Sequence, residues 1–332
     1  MPRKAAIFFD YPLTDGVVYG PEQREKLAAL TELYPTVVNA GNFSQHVDKL
    51  QDLEVIFATW GMPSFSPEQL AQLPKLRAVF YAAGNVKAFA QPLLEHNITL
   101  VSAWAINAIP VAEMCLSQIL LSCRGYFRSV RQYQVQKTHQ AKVFPRPGVY
   151  GETVGLLGLG KIGALLREVL RDYPLHFIAY DPFLTEERAA ELAVEKVSLQ
   201  ALFQRAYIVS NHIPDLPSTQ GVLTGDLFAS MREGATFINT GRGAQVVEDA
   251  FIEVFRSRPD LTALLDVTFP EPPAADSALW TLPNVIISPH IGGTIGDEVV
   301  RLFDCVLEEF ERWQAGEALR YEVTPEVFAT MG

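Results

Sequence analysis

The sequence predicts an α/β protein of two parallel-sheet domains, and three observations carry that prediction. At 332 residues the chain is long for one hydrophobic core and comfortable for two. Short apolar runs alternate with helical periodicity along most of its length, a pattern that buries a parallel sheet beneath helices. Near the middle, a turn of the form Gly-x-Gly-x-x-Gly joins one of those strands to the helix that follows it.

Taken in order, residues 5–9, 36–39, 55–59, 78–82 and 98–103 read as strands of a first unit. Residues 21–33 and 66–73 read as helices between them, the second with Ser66 as N-cap and Pro67 at the first helical position. A long helix is expected over 110–136, with a break possible at Gly125, and a loop over 145–148. A second series of strands follows at 153–159, 176–181, 194–197, 207–213, 235–240, 262–267 and 285–288. The helix expected at 162–173 carries Ile162, Leu165, Leu166, Val169 and Leu170 on one stripe, and a last helix is expected over about 296–314.

Composition narrows the function classes. Hydrophobic residues make up 48% of the chain and charged residues 20%, the balance of an ordinary globular enzyme. A formal net charge of -11 argues against a nucleic-acid groove or an anionic membrane surface, while leaving an acidic small substrate open. Cys115, Cys123 and Cys305 have neither metal-site spacing nor an even disulfide framework, so they read as small buried or half-buried thiols in a reducing compartment, and no metal site is expected. The first apolar run is too short for a signal-peptide core, and no run of about 20 apolar residues is apparent. The cytoplasm is the expected location.

Gly158-Leu159-Gly160-Lys161-Ile162-Gly163 has the context that a dinucleotide site demands, directly after a strand and opening a helix. Gly158 permits the turn, Gly160 leaves room for a pyrophosphate, and Gly163 lets helix and strand pack closely. Asp181 closes the next strand, where a carboxylate accepts both ribose hydroxyls and repels a 2′-phosphate, so NAD is expected over NADP.

Three further residues fall at three strand ends of the same sheet, where ligands of open parallel sheets bind. Arg242 lies in Asn239-Thr240-Gly241-Arg242-Gly243, Glu271 in Phe269-Pro270-Glu271-Pro272, and His290 in Ser288-Pro289-His290-Ile291-Gly292-Gly293. Each alone has a plain alternative as a surface ion-pair partner, a solvated acid or a turn residue. Together they suit hydride transfer to a 2-keto acid. Arginine's planar fork takes the carboxylate or keto oxygen, and histidine protonates the developing alkoxide while a carboxylate orients it.

From about Ala82 to Gly293 these segments resemble the D-isomer-specific 2-hydroxyacid dehydrogenase family, which includes phosphoglycerate, glycerate, glyoxylate and D-lactate dehydrogenases. The resemblance rests on Val111-Ala112-Glu113, the run from Gly151 through Gly163, Asn239-Thr240-Gly241-Arg242-Gly243, Asp266-Val267, Glu271-Pro272, Leu279-Trp280 and Pro289-His290-Ile291-Gly292-Gly293. It implies a discontinuous flavodoxin-like substrate domain, 1–104 plus 294–332, with a Rossmann NAD domain, 105–293, inserted into it. The active site would lie in the interdomain cleft. Arg242, Glu271 and His290 would be catalytic. Lys161 and Ile162 would meet the pyrophosphate through their backbone, with Ile213, Thr240, Gly241, Arg242, Asp266, His290 and Gly292 around the nicotinamide half and Asp266 near the carboxamide. A homodimer is expected, with the long helix as its arm, although that helix's apolar residues would serve equally as core.

The chain departs from the family pattern at two places. Where the family carries Gly-x-Gly-x-Asp-Asn for the substrate carboxylate, this sequence reads Tyr81-Ala82-Ala83-Gly84-Asn85-Val86-Lys87, so only Gly84 and Asn85 are carried over as substrate-binding. His212, in His212-Ile213-Pro214-Asp215-Leu216, reads as a structural strand-end residue rather than a second catalyst. Trp60 and Trp104 fall at strand ends of the first unit, where either could line an apolar pocket, core packing being the simpler role for Trp104. No basic cluster beyond Arg242 stands out for a substrate phosphate, which disfavours phosphoglycerate among small 2-hydroxy and 2-keto acids. Glu271 opposes a formate dehydrogenase, whose branch has glutamine there. A non-catalytic NADH-binding regulatory protein on the same fold is the alternative from another class.

Overall fold

Five parallel strands form the first sheet. They are β1 (Arg3–Phe8), β2 (Thr31–Leu33), β3 (Val55–Ala58), β4 (Ala78–Tyr81) and β5 (Thr99–Ser102), in the order β2-β1-β3-β4-β5. The computed structural model describes residues 2–10, 18–141 and 148–331, so the loop expected over 145–148 lies outside the described residues except at Gly148. The first of two compact units comprises Met1–Ala108 and Thr294–Met331. Its order is that of doubly wound flavodoxin-like sheets.

The second strand is where the sequence reading needs correction. The first helix ends at Leu30, and β2 begins at Thr31, inside the helix expected to reach residue 33. The strand expected over 36–39 is reduced to one bridge between Val38 and Phe8. Pro35 separates the two pieces and has no N–H for a ladder, so the extended chain pairs on either side of it. The short helix Pro67–Ala71 starts as expected, with a capping box between Ser66 and Gln69. Short helices at Phe43–His46, Ala90–Glu95 and Pro325–Thr330 were not marked by periodicity, being too brief to show one. At the other edge Glu322 bridges Val101 antiparallel, which ties the carboxyl-terminal segment to β5.

Helix Trp104–Cys123 carries the chain from the first unit into the second, Ile109–Gly293. It begins six residues before the expected start, because Pro110 sits inside the helix rather than at its first position. Its 20 residues have the length and mean hydropathy, 1.4, of a membrane span, which corrects the expectation that no such stretch exists. Ala112, Cys115, Ile119 and Cys123 are fully buried in the core of the second unit. Gly125, at φ 63°, separates this helix from the next, Tyr126–Gln136.

Seven parallel strands form the second sheet. They are β6 (Thr153–Leu157), β7 (His176–Tyr180), β8 (Glu195–Lys196), β9 (Ile208–Asn211), β10 (Thr236–Asn239), β11 (Thr262–Leu265) and β12 (Val285–Ile287), in the order β12-β11-β10-β9-β6-β7-β8. Every expected strand is present, shortened at its ends. Strand order reverses between β6 and β9, and the crevice beyond their carboxyl ends is where such sheets bind ligands. Phe237 of β10 is fully buried against Phe203, Phe228 and Phe251 of the covering helices, an aromatic cluster whose members each stabilise by about 1.5–3 kcal/mol on burial. The last long helix, Val300–Ala315, returns to the first unit and packs Phe303, Val306 and Phe310 into its core.

Candidate active site

β6 ends at Leu157, and Gly158 turns away at φ 83° with its N–H donated to the Tyr180 carbonyl. A Cβ at Gly158 would stand 2.8 Å from the His212 carbonyl oxygen, so the close approach of β6 and β9 at the reversal requires glycine. A Cβ at Gly163 would meet the Gly158 carbonyl oxygen at 2.1 Å, which fixes how closely helix Lys161–Val169 packs on the turn. Above Gly160 there is open space: among the described residues, chain neighbours apart, no atom lies within 4 Å of where its Cβ would be. Gly160 is also the N-cap and has no side chain to bond the first turn of the helix, which opens at Lys161. The open space and the uncapped end fit a pyrophosphate.

Asp181 follows β7 and binds the same turn. Oδ2 accepts the Leu159 N–H at 2.8 Å and Oδ1 accepts the Phe183 N–H at 2.8 Å. A carboxylate has about four lone-pair sites, so two remain for ribose hydroxyls. The residue expected to choose the cofactor thus also ties the glycine-rich turn to the neighbouring strand.

β10, β11 and β12 are adjacent, and the three expected catalytic residues sit on the loops leaving them. His290 Nδ1 and Glu271 Oε1 are 2.5 Å apart, with both side chains nearly half exposed. His290 holds φ 53°, a left-handed conformation uncommon for a residue with a Cβ. Its turn is held by Asp266, which is buried: Oδ1 accepts from Ser288 Oγ and the Ile291 N–H, and Oδ2 accepts from the Gly292 N–H at 2.7 Å. A Cβ at Gly292 would be 2.8 Å from that Oδ2. Asp266, expected beside a carboxamide, has three of its lone-pair sites committed to this turn.

Arg242 is half-buried and donates from Nη1 to the Gly241 carbonyl at 2.7 Å. Among the described residues no carboxylate pairs with it, and it makes no hydrogen bond to Glu271 or His290. Its loop and the Glu271 loop are pressed together, since a Cβ at Gly243 would be 2.0 Å from the Thr268 carbonyl carbon. Thr240 is buried, its Oγ1 3.3 Å from Cys115 Sγ. Ile213 is buried at the β9 end; its N–H donates to Asn211 Oδ1 and its carbonyl accepts from Gln245 Nε2.

His212 is buried, with Nε2 2.9 Å from Ser210 Oγ, and burial pushes its imidazole down to about 4. A neutral, enclosed ring is a structural residue at neutral pH, not an acid. In the first unit, Ser102 Oγ donates to the carbonyls of Ala83 and Gly84, and Asn85 Oδ1 accepts the Lys87 N–H. Lys87 Nζ is committed to the Phe328 carbonyl and lies over that ring. Trp104 packs edge-on against Tyr321, and Trp60 is half-buried against the cores on both faces of the sheet.

The sequence reading missed three buried amides, Asn211, Asn239 and Gln245, none more than 1% exposed. They bond to one another and to the loops that carry Ile213 and Arg242. Their signal was available, since a polar amide closes each of the apolar runs of β9 and β10.

The chain is similar to known proteins in sequence and in fold. Residues 116–292 match the model of the D-isomer specific 2-hydroxyacid dehydrogenase NAD binding domain. A D-3-phosphoglycerate dehydrogenase of Mycobacterium leprae is 32% identical over 251 residues, 75% of this chain and 47% of that protein. One of Methanocaldococcus jannaschii is 27% identical over 91% of this chain and 57% of its own length, so the chain spans about half the length of the curated relatives it matches. Among solved structures, Rhodotorula graminis D-mandelate dehydrogenase shares the fold at TM-score 0.79 and 21% identity, covering 97% of this chain and 98% of that one. A phosphoglycerate oxidoreductase from Rhizobium etli does so at TM-score 0.78 and 24% identity, covering 98% and 99%.

Proposed function

The chain belongs to the D-isomer specific 2-hydroxyacid dehydrogenase family and carries its NAD-binding domain, and from that premise we propose that it interconverts a small D-2-hydroxy acid and its 2-keto acid. The observation that carries the reading is the 2.5 Å contact of His290 Nδ1 with Glu271 Oε1. With Nδ1 turned to the carboxylate, Nε2 is the nitrogen left for a reacting oxygen. NAD, when bound, supplies or accepts the hydride.

The chain's own residues would do the rest. His290 Nε2 gives its proton to the alkoxide in reduction and removes the hydroxyl proton in oxidation, while Glu271 fixes the ring. Arg242 offers its guanidinium, unpaired with any carboxylate among the described residues, to the substrate's carboxylate and keto oxygens. The backbone at Gly84 and Asn85 takes the carboxylate. Gly158, Gly160, Lys161, Ile162 and Gly163 cradle the pyrophosphate, and Asp181 selects NAD by its ribose hydroxyls. The nicotinamide half is proposed to meet Ile213, Thr240, Gly241, His290 and Gly292, on loops that Asp266 and its neighbours hold.

The substrate is proposed to lack a phosphate, because the one ammonium on the Gly84–Asn85 loop is already held by Phe328. A homodimer through helix Tyr126–Gln136 is supported by Tyr126, Val130 and Tyr133, which lie on one face at 49%, 38% and 50% exposure.

The test is loss of NADH absorbance with glyoxylate, pyruvate, hydroxypyruvate and 3-phosphohydroxypyruvate. Reduction of an unphosphorylated acid at the higher kcat/KM is expected. Preference for the phosphorylated one would overturn the substrate class. Tight NADH binding without turnover on a broader 2-keto acid panel would favour the non-catalytic reading.

A further inference from the structure

We infer that Gln245, with Asn211 and Asn239, forms a positioning network that sets the cofactor crevice and the Arg242 loop as one unit. The inference rests on the dehydrogenase reading for Arg242, and on the shown NAD-binding domain for the crevice.

The bonds form a closed account. Gln245 Nε2 donates to the Ile213 carbonyl at 2.6 Å and the Pro214 carbonyl at 3.1 Å. Its Oε1 accepts from Asn211 Nδ2 at 2.5 Å. The same Asn211 nitrogen donates to Asn239 Oδ1 at 3.0 Å, and Asn211 Oδ1 accepts the Ile213 N–H at 3.2 Å. Asn239 Oδ1 also accepts the Gly241 N–H at 3.1 Å, and Asn239 Nδ2 donates to the Arg242 carbonyl at 3.2 Å. Three side chains thus hold both backbone groups of Ile213, the carbonyl of Pro214, and the backbone on either side of the Gly241–Arg242 peptide.

The placement makes this more than packing. Asn211 and Asn239 are opposed residues at the carboxyl ends of β9 and β10, and Gln245 reaches back to them from the short helix Gly243–Gln245. On one side the network holds Ile213, whose neighbour His212 forms the wall against Gly158; on the other it holds the loop that presents Arg242. A buried network with nearly every donor and acceptor satisfied specifies one geometry, whereas apolar residues of the same volume would fill the space without fixing those carbonyls. Gly241 fits the same logic: a Cβ there would stand 3.1 Å from Asn211 Nδ2 and 3.3 Å from Gln245 Oε1.

Two variants test it. Gln245→Met keeps length and volume and loses all three of that residue's side-chain bonds. Gln245→Glu keeps the acceptor, but when ionised it sets charge against two carbonyls; protonation restores one donor. NADH affinity is measured by fluorescence titration, kcat and KM with saturating NADH, and folding by near-ultraviolet circular dichroism, at a temperature where each variant is folded. The expected result for Gln245→Met is at least tenfold weaker NADH binding and at least tenfold lower kcat. For Gln245→Glu, the deficit in NADH affinity relative to wild type should shrink as pH falls, across a range in which circular dichroism shows the variant folded throughout, so that the change is not one of stability. Wild-type NADH affinity and kcat in a folded variant would overturn the inference, leaving the network a purely stabilising one. Should Gln245→Met fail to fold, a pH-independent deficit in Gln245→Glu would overturn it equally. If the wild type binds NADH but reduces no keto acid, the dehydrogenase reading fails while the affinity arm still decides the network's role at the crevice.

Discussion

Lowering the pH from about 7.5 to about 5 should cost the second unit roughly 2 kcal/mol through His212 alone. The backbone of His212 lies against the dinucleotide turn, its carbonyl oxygen facing Gly158, and its ring sets Nε2 on Ser210 Oγ. Nδ1 has no hydrogen-bond partner among the described residues, and burial lowers the ring's pKa from 6.5 to about 4. The unfolded chain therefore binds a proton on this histidine at a higher pH than the folded chain does. Stability from the neutral ring is full above about pH 6.5 and is lost as pH falls toward 4. The full span of about 2.5 units, at about 1.4 kcal/mol each, is roughly 3 kcal/mol, of which about 2 is gone by pH 5.

Hydrogen exchange of peptides covering β6 and β9, in wild type and His212→Gln across that range, isolates the effect. Glutamine keeps an amide toward Ser210 and cannot titrate. Wild type should lose protection as pH is lowered, after correction for intrinsic exchange rates, and the variant should lose about 2 kcal/mol less by about pH 5. Parallel losses in the two proteins would refute the assignment of a buried, neutral ring. The same result bears on chemistry, because a histidine that stays neutral until about pH 4 cannot stand in for His290 as the acid.

Removing the carboxylate in Asp181→Ala should narrow the preference for NADH over NADPH at least tenfold, about 1.4 kcal/mol, in kcat/KM; an unchanged ratio would remove Asp181 from cofactor choice. Gly163→Ala places a Cβ 2.1 Å from the Gly158 carbonyl, so it should weaken NADH binding and cost about 1–3 kcal/mol of stability, and normal values of both would contradict the packing argument. Glu271→Gln keeps the size of the side chain and loses the charge beside Nδ1. It should lower kcat at least tenfold while NADH affinity measured by titration stays unchanged, and an undiminished kcat would free Glu271 of its role.

How much of this was legible beforehand depends on what sequence periodicity reports. Alternation of apolar runs and helical stripes located every strand of the second sheet; β9, β10 and β11 are buried along their whole length and β6 at all but Thr153, so their centres read as short apolar runs. The same signal failed at β2, an edge strand of three residues with one side chain buried, where Pro35 breaks the pairing rather than the pattern. Helix Trp104–Cys123 was begun too late because proline is read as a start, and a missing N–H inside a long, well-packed helix leaves no other trace.

At the site, the legible residues are those whose chemistry is unusual for a loop: Arg242, Glu271 and His290 stand out as charged or titratable groups beyond apolar strands. The residues that aim them do not stand out, because hydrogen bonds between positions 22 to 34 residues apart have no period. Asp266 reads as one more acid after a strand, yet its carboxylate gathers the Ser288 hydroxyl and two N–H groups into the turn that puts His290 at φ 53°. Asn211 and Asn239 read as polar ends of apolar runs, yet they hold opposite sides of one crevice through Gln245. A left-handed histidine, and an arginine that no carboxylate among the described residues pairs, would each relax if nothing opposed them. The buried carboxylate and the buried amides supply that opposition, so substitutions there should move the chemistry without touching a reacting atom.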